Sequence, residues 1–293
     1  MNKKGYLSAS EYFENRFGGK IYKLSLSASN SCPNRDSEGN GGCIFCLNGS
    51  GDFSADISLP IDVQIENEKQ RMSGKFSGNK FIAYFGSYTN TYGDLDRLEK
   101  VFTSAITRDD IVALSIGTRP DCLGKDALAM LDRLNCIKPV FVELGLQTSK
   151  ESSAEYIGRG YPLSCYDDAV ENLHSIGINV ITHMIIGLPF ESREDMMNTA
   201  RHIAKVKSDG IKLQLLHILK GTRLAERYEN GEFSVLSLDE YIDILAEIIN
   251  ILPDDMVIHR LTGDGAKNHL IAPLWSADKK RVLNEINKAL MKK

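Results

Sequence analysis

The chain has 293 residues, 42% of them hydrophobic, with 35 Lys and Arg against 39 Asp and Glu for a formal net charge of −4. That is an ordinary globular composition with enough apolar residues for a sizeable core, and it excludes a protein coated throughout in phosphate-binding charge while leaving room for a local basic patch. Six cysteines, behind the polar opening Met1-Asn2-Lys3-Lys4-Gly5-Tyr6, point to thiols or metal ligands in a cytoplasmic protein rather than to a disulfide framework, a signal peptide or a membrane anchor.

A first strand is predicted over residues 21–26, followed by a Gly/Asn/Asp-rich loop that holds Cys32, Cys43 and Cys46. From about residue 80 onward, short β-branched runs alternate with stretches of helical period, the pattern of βα units around a parallel sheet. The strands fall at 80–85, 110–116, 140–146, 179–186 and 211–216, and helices at 95–105, 123–134 and 166–176 lie among them. Ser192 with Asp195, and Ser237 with Glu240, have capping-box spacing and mark two later helix starts. The second of these helices ends before Pro253, and a last strand at 256–259 leads into the turn Gly263-Asp264-Gly265. Six βα units are too few for a closed eight-stranded barrel, so the expected fold is a single α/β domain over residues 1–293. Its core, about 20–220, is an incomplete (β/α)6 barrel, and about 221–293 form a helix-and-strand extension. Chemistry in such folds gathers at the C-terminal strand ends, which are polar here: Gly86-Ser87-Tyr88-Thr89-Asn90, Gly117-Thr118-Arg119-Pro120-Asp121 and Gln147-Thr148.

The cysteine loop directly follows the first strand, at that same end. Soft thiolates select zinc, copper(I) or iron-sulfur. Three cysteines are one short of a structural zinc set, and the nearest histidine in sequence is the distant His174. A 4Fe-4S cluster held by three thiolates leaves one iron open for a further ligand. A zinc-stabilised binding module, closed by a distant histidine, is the alternative. Cys122, Cys136 and Cys165 stand apart and read as small buried or part-buried hydrophobes.

On these residues the chain resembles the radical S-adenosylmethionine (SAM) superfamily over nearly its whole length. The second cysteine gap and Phe45, just before Cys46, match the family pattern; the first gap holds ten residues instead of three. Cys32-Pro33-Asn34-Arg35-Asp36 followed by Gly41-Gly42-Cys43-Ile44-Phe45-Cys46 is similar to the bacterial group typified by YtqA and YhcC. The elongator catalytic subunit and oxygen-independent coproporphyrinogen oxidase are relatives further out. The resemblance implies a 4Fe-4S cluster on Cys32, Cys43 and Cys46, and SAM as cofactor. It puts Gly86 and Ser87 at the turn that receives the methionine amine, although the usual Gly-Gly-Glu is reduced to Phe85-Gly86-Ser87. Gln147 falls beside the cofactor, Arg159 on the methionine carboxylate, and Ile185 and Gly187 in the strand under the adenine. His183 stands where many relatives have aspartate.

Radical chemistry requires no acid-base pair at the first step, and none is evident. For a later proton or water step Tyr88, Asp121, His217 and Lys220 are candidates, while His217 and His259 read first as satisfied core histidines. The resemblance points to tRNA as substrate, through conversion of the 5-carboxymethylaminomethyl side chain of wobble uridine to the 5-aminomethyl form, as a wobble-uridine side-chain enzyme of that group would perform. A one-electron donor such as flavodoxin or ferredoxin is the other implied partner. Arg35, Lys212, Lys220, Arg223 and Arg260, with Tyr88 and Tyr92, are candidate RNA contacts, against the alternative that they are scattered solvated charges. A small metabolite such as a tetrapyrrole is the second substrate reading.

Overall fold

A computed structural model describes residues 5–291 apart from 37, 48–53, 75–77, 264 and 266–267. Asp264 of the expected turn therefore lies outside the described residues. The elements are, in chain order, α1 (Ala9–Phe17), β1 (Tyr22–Leu26), α2 (Ile61–Met72), β2 (Phe81–Phe85), α3 (Leu95–Ile106), β3 (Ile111–Thr118), α4 (Lys125–Asn135), β4 (Val140–Gln147), α5 (Glu151–Tyr156), α6 (Leu163–Ser175), β5 (Asn179–Ile186), α7 (Arg193–Lys205), β6 (Gly210–Leu215), β7 (Ile218–Leu219), α8 (Arg223–Glu229), α9 (Leu238–Ile251), β8 (Val257–Arg260), β9 (Leu270–Ala272) and α10 (Lys279–Met291). Both expected capping boxes form: Ser192 and Ser237 each accept the amide three residues on, and Asp195 and Glu240 accept the cap's own amide.

Seven parallel strands, in the order β1-β2-β3-β4-β5-β6-β8, make one curled half-barrel sheet. This is the expected incomplete barrel, and the strand expected in the C-terminal extension pairs with β6 as its seventh strand, β8. Its outer edge is engaged in turn, since the amide of Ile258 donates to Leu7 at 2.8 Å. β7 and β9 pair antiparallel outside this sheet.

The outer face of the sheet is apolar. Leu24, Leu26, Ala83, Phe85, Leu114, Ile116, Val142, Leu144, Val180, Met184, Ile211 and Leu213 all belong to one buried cluster shared with the surrounding helices. The inner face is layered. At the N-terminal end of the strands, Ile82, Ala113, Phe141 and Ile181 pack with Phe13 of α1, which plugs the barrel floor with its ring 5.4 Å from that of Phe141. Two residues further along the same strands stand Tyr84, Ser115, Glu143 and His183, and two further again Gly86, Gly117, Gly145 and Ile185. The interior therefore passes from an apolar floor, through a polar layer, to three glycines facing the open end.

Candidate active site

The cysteine loop leaves the end of β1 and folds onto itself. Gly39, Gly41 and Gly42 take positive φ, and a Cβ at Gly41 would come within 3.0 Å of the Asn34 carbonyl oxygen, so the turn has no room for a larger residue there. Asp36 accepts the amides of Glu38 and Asn40, closing the insert between the first two cysteines. Arg35 donates to the carbonyls of Gly39 at 2.7 Å and Cys46 at 3.1 Å. The loop is then docked onto the barrel rim: Asn34 donates to the Gly158 carbonyl at 2.6 Å, the amide of Ile44 to that of Ile157 at 2.9 Å, and Arg223 to that of Gly42. The amide of Leu224 donates to the Ile44 carbonyl at 3.0 Å.

Within this loop the other two sulfurs bear on Cys43. Burial pushes the Cys43 thiol up to about 11, Cys46 and Cys32 add to the rise, and Arg119 and the Asn34 amide oppose it. Asn34 lies 3.5 Å from the Cys43 sulfur. Among the described residues no three His, Cys, Asp or Glu side chains converge on a point that one metal ion would occupy. Three half-buried soft donors on one loop fit a multi-iron cationic group, which would draw the Cys43 thiol into the thiolate form against its burial.

Around the loop lie the other residues expected at a cofactor. The backbone after β2 is tied to β3 by Asn90, which donates to the carbonyls of Phe85, Ser87 and Gly117, and the amide of Thr89 reaches back to Ser31 in the cysteine loop. Ser87 is buried, with its hydroxyl 2.5 Å from that of Ser54. Tyr84 lies under Gly86 so closely that a Cβ there would meet its ring at 2.2 Å. At the end of β4 the register shifts between Gly145 and Gln147, and Gln147 has φ 64°, so its side chain folds over Gly145. Ile185 joins Ile44, Ile157, Leu188, Leu216 and Ile218 in a second apolar cluster, with Phe45 packed against it. Gly187 has φ 87°, and Leu236 would meet a Cβ there at 2.9 Å.

Arg159, expected on the methionine carboxylate, is 1% exposed and donates to the carbonyls of Tyr161, Leu146 and Thr148, and the carboxylate beside it is Glu151, at 3.2 Å. Its guanidinium and that of Arg119 lie 4.8 and 4.9 Å from the centre of the Tyr161 ring, while the Tyr161 hydroxyl donates to the Gly145 carbonyl. Arg119 is itself held bidentate by Asp121.

The polar layer inside the barrel was not visible in the sequence. Glu143, fully buried, accepts from Lys23 at 2.8 Å, Ser115 at 2.7 Å, His183 at 2.8 Å and Lys212. Lys23 on β1 reaches Glu143 on β4 across the concave face, so the contact exists only because the sheet curls. The two ammonium groups flank the Tyr84 ring at 4.9 and 4.6 Å. These cations hold the Glu143 carboxyl well below its usual range, whereas burial and Lys212 push His183 down to about 4. Neutral His183 then accepts from Gln214 on one nitrogen and donates to Glu143 on the other. Burial likewise keeps His259 neutral, and its Nδ1 has no hydrogen-bond partner among the described residues.

The expected basic RNA rim is mostly not one. Arg35 and Arg223 brace the cysteine loop, Lys212 is buried in the interior layer, and the charge of Arg260 bears on Tyr84 and His183. Lys220, Arg223 and Tyr92 are exposed, and Tyr88 is half-buried at φ 60°. Cys136, expected to be at least part-buried, is exposed because it caps the C-terminus of α4. No helix among the described residues is long and apolar enough to cross a membrane.

Residues 28–203 match the model of the radical SAM superfamily and 208–292 that of the radical SAM C-terminal domain. The uncharacterized protein YtqA of Bacillus subtilis is 42% identical over 289 residues, covering 98% of this chain and 90% of its own. The tRNA uridine(34) acetyltransferase of Methanocaldococcus jannaschii is 28% identical, over 58% of this chain and 31% of its own. Among solved structures, the archaeal Methanocaldococcus infernus Elp3 superposes with a TM-score of 0.65 at 19% identity, over 78% of this chain and 60% of that one, a likeness of fold. The half-barrel, the three-cysteine loop at its open end and these matches together make the chain a member of the radical SAM superfamily, whose members use a 4Fe-4S cluster and SAM.

Proposed function

We propose that the protein holds a 4Fe-4S cluster on Cys32, Cys43 and Cys46 and converts the 5-carboxymethylaminomethyl side chain of wobble uridine in tRNA to the 5-aminomethyl form. What supports the first half is the three-cysteine loop after β1, braced by Arg35 and held to the barrel rim by Asn34, in a chain of the radical SAM superfamily. When bound, the cluster and SAM supply a 5′-deoxyadenosyl radical. The chain's own residues do the rest. The backbone at Gly86 and Ser87, tied down by Asn90, presents polar groups to the methionine amine, and Gln147 is aimed into the barrel beside it. Ile185 and Phe45, in the second apolar cluster, with the Gly187 backbone, offer a dry wall for the adenine. Arg159 acts as a positioning residue, holding the end of β4 through Leu146 and Thr148. A reductant of the flavodoxin or ferredoxin class delivers the electron.

The tRNA half is supported by relatedness to the tRNA uridine(34) acetyltransferase and by the Elp3-like fold. A glycine-like Cα–H suits hydrogen abstraction, because nitrogen and carboxylate stabilise the resulting carbon radical. Loss of one further electron, to an acceptor of the same one-electron class, and of a proton gives an imine. Water splits that imine into the aminomethyl nucleoside and glyoxylate. In cells lacking the protein, tRNA should accumulate the carboxymethylaminomethyl nucleoside and lose the aminomethyl form, and the purified enzyme should reverse this. Identical nucleoside profiles in the two strains would instead favour a small-molecule substrate.

A further inference from the structure

We propose that Asn34 tunes the reduction potential of the iron-sulfur cluster, its side-chain amide donating to the Cys43 sulfur and making the reduced state easier to reach. This rests on the cluster reading above and gives a residue other than the three thiols a part in how readily the site takes up its electron.

Three observations carry it. The first is placement. Asn34 lies in the insert between the first two cysteines, and its carbonyl accepts the Gly42 amide at 2.6 Å, which clamps it beside the residue before Cys43. Its side-chain nitrogen stands 3.5 Å from the Cys43 sulfur, within reach of an N–H···S bond. The second is orientation. The same nitrogen donates to the Gly158 carbonyl at 2.6 Å. A carbonyl accepts only from the N–H end of an amide, so that partner fixes which end is which and leaves the second N–H for the sulfur. The third is that the seat is built into the barrel rim. Gly160 has φ 84°, and a Cβ there would come within 2.8 Å of the Asn34 side-chain oxygen, so the amide fits only because position 160 carries no side chain.

An electron from the flavodoxin- or ferredoxin-class donor makes the cluster and its thiolates more negative. An N–H aimed at a ligating sulfur stabilises that reduced state more than the oxidised one, so the bond raises the potential and its loss lowers it. A residue that merely braced the loop would affect stability and iron content and leave the potential where it was.

The test is a redox titration of anaerobically reconstituted protein without SAM, followed by electron paramagnetic resonance. Asn34→Ala should shift the one-electron equilibrium roughly tenfold against reduction, a fall of about 59 mV. Gly160→Ala, whose methyl group takes the amide's seat while Asn34 stays in the chain, should move the potential the same way, and should add nothing further in the Asn34→Ala background. It carries the comparison by itself if Asn34→Ala does not hold its cluster. A wild-type potential in both single variants, or a further independent fall in the double variant, overturns the proposal. Wild type that binds no iron overturns the cluster reading and the proposal with it, whereas loaded clusters with unmoved potentials overturn the proposal alone.

Discussion

The two faces of the sheet come from the same strands and follow opposite rules. On β4, Val142 and Leu144 face the helices and are buried among apolar neighbours, while Glu143 between them faces the interior and is equally buried among charges. Parallel strands covered on both faces ordinarily read as continuous apolar runs. Here the inner face keeps only a thin apolar floor and gives its middle to ion pairs, so the two faces are stabilised by different means.

The largest expected effect that probes this contrast is Glu143→Ala, which removes the buried carboxylate that accepts from both Lys23 and Lys212 and should cost about 3–5 kcal/mol. Leu144→Ala, one residue away on the other face, should cost about 2–5 kcal/mol through a cavity. Chemical denaturation measures both, and adding Lys23→Met with Lys212→Met should recover part of the Glu143→Ala loss but none of the Leu144→Ala loss. A recovery in both, or in neither, would break the contrast.

Arg159→Ala leaves the carbonyls of Leu146, Thr148 and Tyr161 buried without their donor and should cost about 3 kcal/mol in the same measurement. The pH dependence sharpens the comparison further. His183 has a depressed pKa, so the unfolded state takes up its proton first and the contribution of neutral His183 is lost as pH falls from about 6.5 toward about 4. Glu143, also depressed, contributes above its ordinary range near 4.5 and loses that contribution below it, in the same direction. Stability should therefore fall by roughly 2 kcal/mol between pH 6.5 and 4, with the His183→Gln variant losing less. At the small end, Ser237→Ala removes a capping box on the outer shell and should cost about 1 kcal/mol at every pH.

The outer shell was legible because its signals are local: apolar periodicity, capping boxes and turn residues lie within one element. The cysteine loop was legible for the same reason, with three thiols inside fifteen residues. The polar layer was not, since Glu143 meets Lys23 and Lys212 across 120 and 69 residues, and a charged residue alternating with apolar ones reads as solvent-facing. Lys212 and Arg260 were for that reason expected on an RNA-binding rim. The backbone carbonyls that accept from Arg35, Arg223 and Arg159 were not legible either, because they carry no sequence signature. β8 was found as a strand, but its place beside β6 follows from pairing register alone.

The most direct test of the account is anaerobic reconstitution of wild type and of Cys32→Ala, Cys43→Ala and Cys46→Ala, followed by iron analysis and a dithionite-driven assay for 5′-deoxyadenosine. Wild type should carry about four irons per chain and release 5′-deoxyadenosine and methionine from SAM. Each alanine variant should lose both the iron and the product while keeping its fold by circular dichroism. Zinc on the three thiolates of an anaerobic preparation, or 5′-deoxyadenosine formed undiminished by any of the variants, would contradict it.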